Sequence, residues 1–322
     1  MKALQIVNYD GPETMKYQDT ENPVVQKNEI LIKVDYSGVG LIDIIFSRGF
    51  GQLPLHVTPG LEVSGTIVAL GDDVTDFQIG DSVAALTINT LGGFSEFVSL
   101  HEDYVVKVPD NVGLDLAAAA LTNTATALVL LKEIVKLPVG CSVLVYGATG
   151  GLGAQVGQVA KLLGAQKVVA VVGSEEKQHK AIELGYDAAY LRKDFYNDFS
   201  ERFDIVVDPV GGEQRKDNLK RLNPFGTLAI VGNASQEERA DINPDILWLN
   251  NLNLTGFNVG AYCAKNIKTV HHYLIWTLDL IANSQLHLPT IYTAPINQAS
   301  QSFISIGKRN NQWKTITKTF LG

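Results

Sequence analysis

The stretch YGATGGLGAQVGQVAKLLGA, residues 146–165, runs from a strand ending into a helix through a cluster of glycines. Ahead of it, Cys141 to Tyr146 is a short apolar run of strand type. Behind it, Val156, Val159, Leu162 and Leu163 recur at helical spacing until Gly164 supplies a C-cap. Gly147, Gly150, Gly151 and Gly153 lie between the two. A tight strand-to-helix turn needs residues tolerant of positive φ, and a pyrophosphate needs backbone N–H groups it can approach with no Cβ in the way. The helix N-terminus adds roughly half a positive charge. Glycines at this spacing predict a dinucleotide cradle, with Leu152 carried inside it.

Glycines alone are weak, and the flanks carry the reading. KVVAVVG at 167–173 is a second buried-type strand, and SEEKQHKAIELG at 174–185 an amphipathic helix ending on Gly185. FDIVVDPVGG at 203–212 and GTLAIVGNAS at 226–235 repeat the strand-then-loop signal. Strands alternating with helices every ~20–30 residues imply a doubly wound parallel sheet of Rossmann type.

The end of the second strand bears on which dinucleotide is held. NAD-binding units usually place Asp or Glu there, ~20 residues after the glycines, to accept from the ribose 2′-hydroxyl. Here the place holds Gly173 and Ser174. A 2′-phosphate would be repelled by a carboxylate and welcomed by donors, which Ser174, Lys177 and Arg192 supply. Glu175 and Glu176 suit the first turn of a helix and point to solvent. NADP(H) is expected over NAD(H).

A chain of 322 residues with 46% hydrophobic composition supports one or two domains with real cores. A net charge of −8 and a pI near 5.3 argue against a general nucleic-acid surface. The N-terminus lacks the apolar run of a signal peptide. The longest charge-free apolar stretch, Leu116 to Leu131, is broken by Thr122, Asn123, Thr124 and Thr126, and reads as a buried helix too short and polar for a bilayer. A cytoplasmic protein outside the membrane is expected. Cys141 and Cys263 belong to no CxxC and read as inert buried thiols. His271 and His272 are adjacent on a predicted helix and cannot chelate together. No metal site is expected.

Residues 1–122 have a different texture. NEILIKVDYSGVG, LEVSGTIVALG, GDSVAAL and GGFSEFVSL are short strands, with turns at Gly71-Asp72-Asp73, Gly80-Asp81 and Gly92-Gly93. Leu31, Lys33 and Asp35 alternate with Ile32 and Val34. This part is a β-rich, barrel-like lobe, left through the Ala117–Leu131 helix.

Taken in order, GPE near the N-terminus, PGLEVSGTIVALGDDVTDFQIGDSVAAL, GGFSEFVSL, the glycine turn and the terminal strand resemble the medium-chain dehydrogenase/reductases. Within that superfamily the chain is most similar to the zinc-independent quinone oxidoreductase, or zeta-crystallin-like, branch. The resemblance spans essentially the whole chain. It implies an α/β fold with two domains: a GroES-like substrate domain from 1–122 and 266–322, and a Rossmann NADP(H)-binding domain from 123–265. It also implies a homodimer or tetramer joined through an edge strand of the Rossmann sheet, near LNLTGFNVGAY.

In the zinc alcohol dehydrogenases that share this pattern, the first metal-ligand cysteine falls at Gly40, the ligand histidine at Leu61 and the proton-relay hydroxyl at Ile42. None of these replacements offers zinc a donor. Chemistry then comes chiefly from the cofactor, with the protein orienting it in a dry slot. Quinones and alkenes conjugated to a carbonyl suit such a site, since their reduction yields stabilised oxyanions; simple alcohols suit it less.

The resemblance assigns Thr126 to the nicotinamide carboxamide, with Asn123 one turn before it. It assigns Gly150 through Gly153 to the pyrophosphate turn, and Ser174, Lys177 and Arg192 to the 2′-phosphate. Val231, Gly232 and Asn233 follow a strand end facing the ligand crevice. Phe257 and Asn258 flank the nicotinamide, and Lys314 closes the site. The chain departs from the branch at Gly40, where relatives carry Asn, and near Gly51, where they carry an aromatic. A roomier substrate pocket with Gly40, Ile45 and Phe46 on its wall follows, and no residue earns the role of catalytic acid. Tyr36 and Tyr262 are candidate proton donors that read more readily as structural residues. The expected activity is NADPH-dependent, zinc-free reduction of a quinone or activated enone. The alternatives are an enoyl-thioester reductase and a non-catalytic NADPH-sensing module.

Overall fold

The computed structural model describes residues 1–198, 200–237, 241–289, 291–307 and 314–320. The chain forms two compact units, Met1–Ala125 with Cys263–Gly322, and Thr126–Tyr262.

The first unit opens with β1 (Lys2–Gln5) antiparallel to β2 (Lys16–Asp19). There follow β3 (Glu29–Gly38), α1 (Leu41–Ser47), β4 (Glu62–Leu70), β5 (Ser82–Leu86), β6 (Phe97–His101), β7 (Val105–Lys107) and α2 (Leu114–Val129). Period-two burial along β3 explains its place: Ile30, Ile32 and Val34 are fully buried, whereas Lys33 is exposed. They meet Val63, Ile67, Val83 and Leu100 in one apolar cluster. A second cluster joins Leu4, Ile6, Val39, Ile44 and Phe94 to the chain's last hundred residues through Phe303.

The helix α2 continues as a π turn over Leu130–Ile134, giving 21 helical residues. The stretch expected to be too short for a bilayer is therefore long and apolar enough by composition. Burial is what marks it as a core helix: 72% of its most apolar window lies inside the protein. The polar threonines do not interrupt it, because their hydroxyls fit within a helix whose backbone is already paired.

In the second unit, β8 (Ser142–Tyr146), α3 (Gly151–Leu162), β9 (Lys167–Val172), α4 (Glu175–Glu183), β10 (Ala188–Leu191) and α5 (Arg192–Asp198) come first. They are followed by β11 (Phe203–Asp208), α6 (Arg215–Lys220), β12 (Leu222–Ile230), α7 (Asp245–Asn250) and β13 (Asn253–Gly256). All pairings are parallel, in the order β10-β9-β8-β11-β12-β13. Counted from β8 this is 3-2-1-4-5-6, the doubly wound arrangement, with the order reversing between β8 and β11. Val143, Leu144 and Val145 in β8, and Val168 to Val171 in β9, are completely buried, as a sheet covered on both faces requires.

The chain re-enters the first unit through α8 (Val259–Ala282), then β14 (Ile291–Pro295), α9 (Ala299–Gly307) and β15 (Lys314–Lys318). β15 pairs antiparallel with β3, adding β14 beyond it. Two segments without a strand signal are helical. Residues 259–266 belong to α8, which departs from helical geometry only at Asn266, and residues 45–52 close α1 and form a 3₁₀ turn.

Both cysteines are buried, Cys141 just before β8 and Cys263 inside α8. Burial pushes each thiol up to about 11, which keeps it protonated and unreactive.

Candidate functional site

In the second unit, the glycine turn sits at the switch point, at the C-terminal end of β8. Gly147 takes a left-handed φ of 61°, and its carbonyl accepts the Gly150 amide at 2.9 Å. Gly153 in the first turn of α3 lies so close to this turn that a Cβ would stand 2.3 Å from the Gly147 oxygen. Below it, the Tyr186 hydroxyl donates to the Gly153 carbonyl at 2.7 Å, and burial raises that phenol's pKa. The turn is thus held tight from beneath. The amides of Gly151, Leu152 and Gly153 occupy the first turn of a 12-residue helix, where N–H groups have no intrahelical acceptor. That is an anion cradle.

Beyond β9, Ser174 takes the N-cap position of α4 without its hydroxyl closing the cap. Lys177 is half-buried one turn later. Arg192 opens α5, and its Nε is buried with no hydrogen-bond partner among the described residues. Gly173 and Arg192 share a cavity of about 660 Å³ with Lys193 and with Lys216 and Lys220 on α6. Glu213 and Asp217 also line it, but each is paired at the surface, with Lys216 (2.8 Å) and Lys220 (2.7 Å). Four cations against two carboxylates leave the cavity suited to an anion. Ser174 and Lys177 are not among its lining residues.

Val231, Gly232 and Asn233 follow β12 at the same edge of the sheet. The Val231 amide donates to the Asp208 carbonyl (3.1 Å), and the Asn233 carboxamide oxygen accepts from Ser235 Oγ (3.1 Å). The Phe257 amide donates to Ile230 (2.9 Å), and its ring packs edge-on to Tyr262 at 5.9 Å. Asn258 caps α8, its Oδ1 accepting the Ala261 amide at 3.0 Å. Asn123 and Thr126 lie three residues apart on α2, half-buried and buried.

The first unit holds a different constellation. Gly40 caps α1, and its amide donates to Asp43 Oδ2 at 2.8 Å; Asp43 Oδ1 accepts the Gly60 amide at 3.0 Å. Burial is the largest influence on Asp43 and pushes its carboxyl up to about 7 against the pull of those two amides. Lys314 is almost wholly buried, its Nζ 2.6 Å from Glu62 Oε1 and 3.3 Å from the Val39 carbonyl. Glu62 Oε2 accepts the Thr122 amide at 2.7 Å. Two of the three N–H groups of Lys314 are committed here, so its expected part at a cofactor falls to the third. Ile45 and Phe46 are half-buried on α1, and Phe46 stacks on Phe50 at 6.4 Å.

Asp208, Tyr186, Asp43 and Glu62 were missed as site residues. Asp208 did leave a signal, a lone charge at the end of the apolar run FDIVVD. Tyr186 left none, because its partner lies 33 residues away. Among the described residues, no three His, Cys, Asp or Glu side chains converge as a metal-ligand set.

Residues 26–110 match the alcohol dehydrogenase GroES-like domain, and residues 151–275 match the zinc-binding dehydrogenase family. The quinone oxidoreductase of Sus scrofa is 31% identical over 255 residues, 76% of each chain. The solved quinone oxidoreductase of Pseudomonas syringae pv. Tomato superimposes with a TM-score of 0.88 at 28% identity, covering 99% of both chains. A mycobacterial protein solved in complex with NADPH gives a TM-score of 0.88 at 26% identity, over 99% of this chain and 100% of its own.

Proposed function

This chain belongs to the quinone oxidoreductase branch of the medium-chain dehydrogenase/reductases, and from that premise we propose that it is an NADPH-dependent reductase of quinones or activated enones that works without zinc. Its general class, oxidoreductase, follows from the membership itself. The observation that carries the cofactor is Arg192: a guanidinium whose buried Nε has no partner among the described residues, in a cavity beside a strand end that bears no carboxylate. A buried donor left unmade costs about 1–3 kcal/mol, and a 2′-phosphate would satisfy it.

In this reading Gly147, Gly150, Gly151, Leu152 and Gly153 hold the pyrophosphate, and Ser174, Lys177 and Arg192 the 2′-phosphate. Asn123, Thr126, Val231, Gly232, Asn233, Phe257, Asn258 and Lys314 serve the rest of the dinucleotide. When bound, the cofactor supplies the hydride. Gly40, Ile45 and Phe46 offer the substrate an apolar wall without acid or base, which suits acceptors whose reduced oxyanions solvent can protonate.

The donor chemistry supports independence from zinc. Gly40, Ile42 and Leu61 have no side-chain donor for zinc, and the buried carboxylate of Glu62 already has the ammonium of Lys314 beside it. A homodimer joined at β13, the edge of the parallel sheet, and a cytoplasmic location go with this reading.

The test is a steady-state series of quinones, enones and enoyl-CoA thioesters with NADPH, followed by the fall in absorbance at 340 nm, on protein assayed for zinc. Turnover of quinones or simple enones by metal-free protein supports the proposal. Activity confined to thioesters would move it to an enoyl-thioester reductase. Tight NADPH binding with no turnover of any acceptor would make it a sensor, and activity that tracks zinc content would overturn the metal-free reading.

A further inference from the structure

Asp208 ends β11 and is completely buried. Its Oδ1 accepts the amides of Val210 (2.8 Å) and Gly211 (2.9 Å), which shapes the loop after β11. Its Oδ2 accepts from Arg215 Nε (2.8 Å) and Asn218 Nδ2 (3.3 Å). The same guanidinium reaches on through Nη2 to the carbonyl of Gly232, 2.8 Å away in the loop after β12. One side chain therefore ties together two loops at the C-terminal edge of the sheet, where ligands of such sheets bind. The loops also touch directly: Gly211 sits at a left-handed φ of 75°, and a Cβ there would stand 2.0 Å from Asn233 Oδ1.

The geometry points to Arg215 as a positioning residue for the cofactor: it pre-sets the loops after β11 and β12 before a dinucleotide arrives. The inference rests on the dinucleotide reading above. A planar fork is needed, because Nε and Nη2 serve two acceptors on different loops at once; a lysine presents its donors at a single point. Loops held in place beforehand lower the ordering cost of binding. Since the clamp acts on loops and not on the phosphate, its loss weakens NADPH and NADH by the same factor.

The experiment uses the full chain with Arg215→Lys and Asp208→Asn. Dissociation constants for NADPH and NADH are measured by fluorescence titration well below the melting midpoint. Hydrogen exchange of residues 209–212 and 231–235 is measured without ligand. Expected are constants about tenfold higher for both nucleotides in each variant, and faster exchange in both loops. Should Arg215→Lys not fold, Asp208→Asn, which keeps the side chain's size and its Oδ1 acceptor, carries the same expectation. Constants within twofold of wild type, even with a lowered melting midpoint, would reduce the clamp to packing and overturn the inference alone. A loss confined to NADPH would move Arg215 into the phosphate subsite and overturn it too. A wild-type protein that binds neither nucleotide would remove the dinucleotide reading, and this inference with it.

Discussion

Arg192 and Asp43 are each defined by what burial does to a charge. At Arg192 a donor is withdrawn from water and left without an acceptor among the described residues, so a ligand anion should repay more there than on an exposed lysine. Replacing Arg192 or Lys177 by Ala should raise the dissociation constant for NADPH tenfold to a hundredfold, roughly 1.5–3 kcal/mol for a charge-assisted contact. NADH should move little, and fluorescence titration of both nucleotides checks it; an equal loss would put the 2′-phosphate elsewhere. Asp43 is an acid whose folded pKa, about 7, lies above its ordinary 3.8. Between those values the folded protein holds a proton that the unfolded chain has released. The stability that group contributes is therefore full below its ordinary pKa and lost as pH rises through 7. Urea denaturation should show wild type losing ground against Asp43→Asn from pH 5 to pH 8, and a constant difference would contradict the assignment.

At the scale of elements, Glu62 and Lys314 do the joining. Glu62 begins β4, Lys314 begins β15, Val39 follows β3, and Thr122 belongs to α2, so one buried cluster ties three strand ends to a helix. Both side chains of the pair are under a tenth exposed, which separates them from the surface pairs on α6. Removing one partner of a buried pair leaves an uncompensated charge and costs about 3–5 kcal/mol. Lys314→Met should lose that much in equilibrium unfolding, and adding Glu62→Gln should recover most of it, since a neutral amide no longer needs the ammonium. A Lys314→Met protein as stable as wild type would show that the pair holds nothing together. In the sequence Lys314 resembles a residue placed for a ligand. Only the antiparallel pairing of β15 with β3 shows why it carries a charge into the core.

Across the molecule, the parallel sheet ends at β13, which is paired on one side only among the described residues. Leu254 on that strand, and Trp248 and Leu249 on the helix α7 that leads into it, have 38%, 68% and 62% of their surface exposed. An unprotected edge with apolar neighbours invites a second chain. Light scattering should find a dimer in wild type and a monomer in Trp248→Glu with Leu254→Arg; an unchanged dimer would place the interface elsewhere. The short helices α1, α6, α7 and α9 were not legible in the sequence. The parallel sheet with its first helices, the strands β3 to β6 and the helix α2 were, and so were the glycine turn, the missing acid at the end of β9 and the cationic Arg192. Each depends on residues a few positions apart, where backbone period and glycine's allowed angles act directly. The tertiary structure alone decided that Arg215 reaches Gly232 across two loops, that Tyr186 braces the glycine turn and that Glu62 takes the charge of a lysine 252 residues away. Those partners meet because sheet order and packing bring them together, and no local spacing in the chain encodes a contact made by the fold.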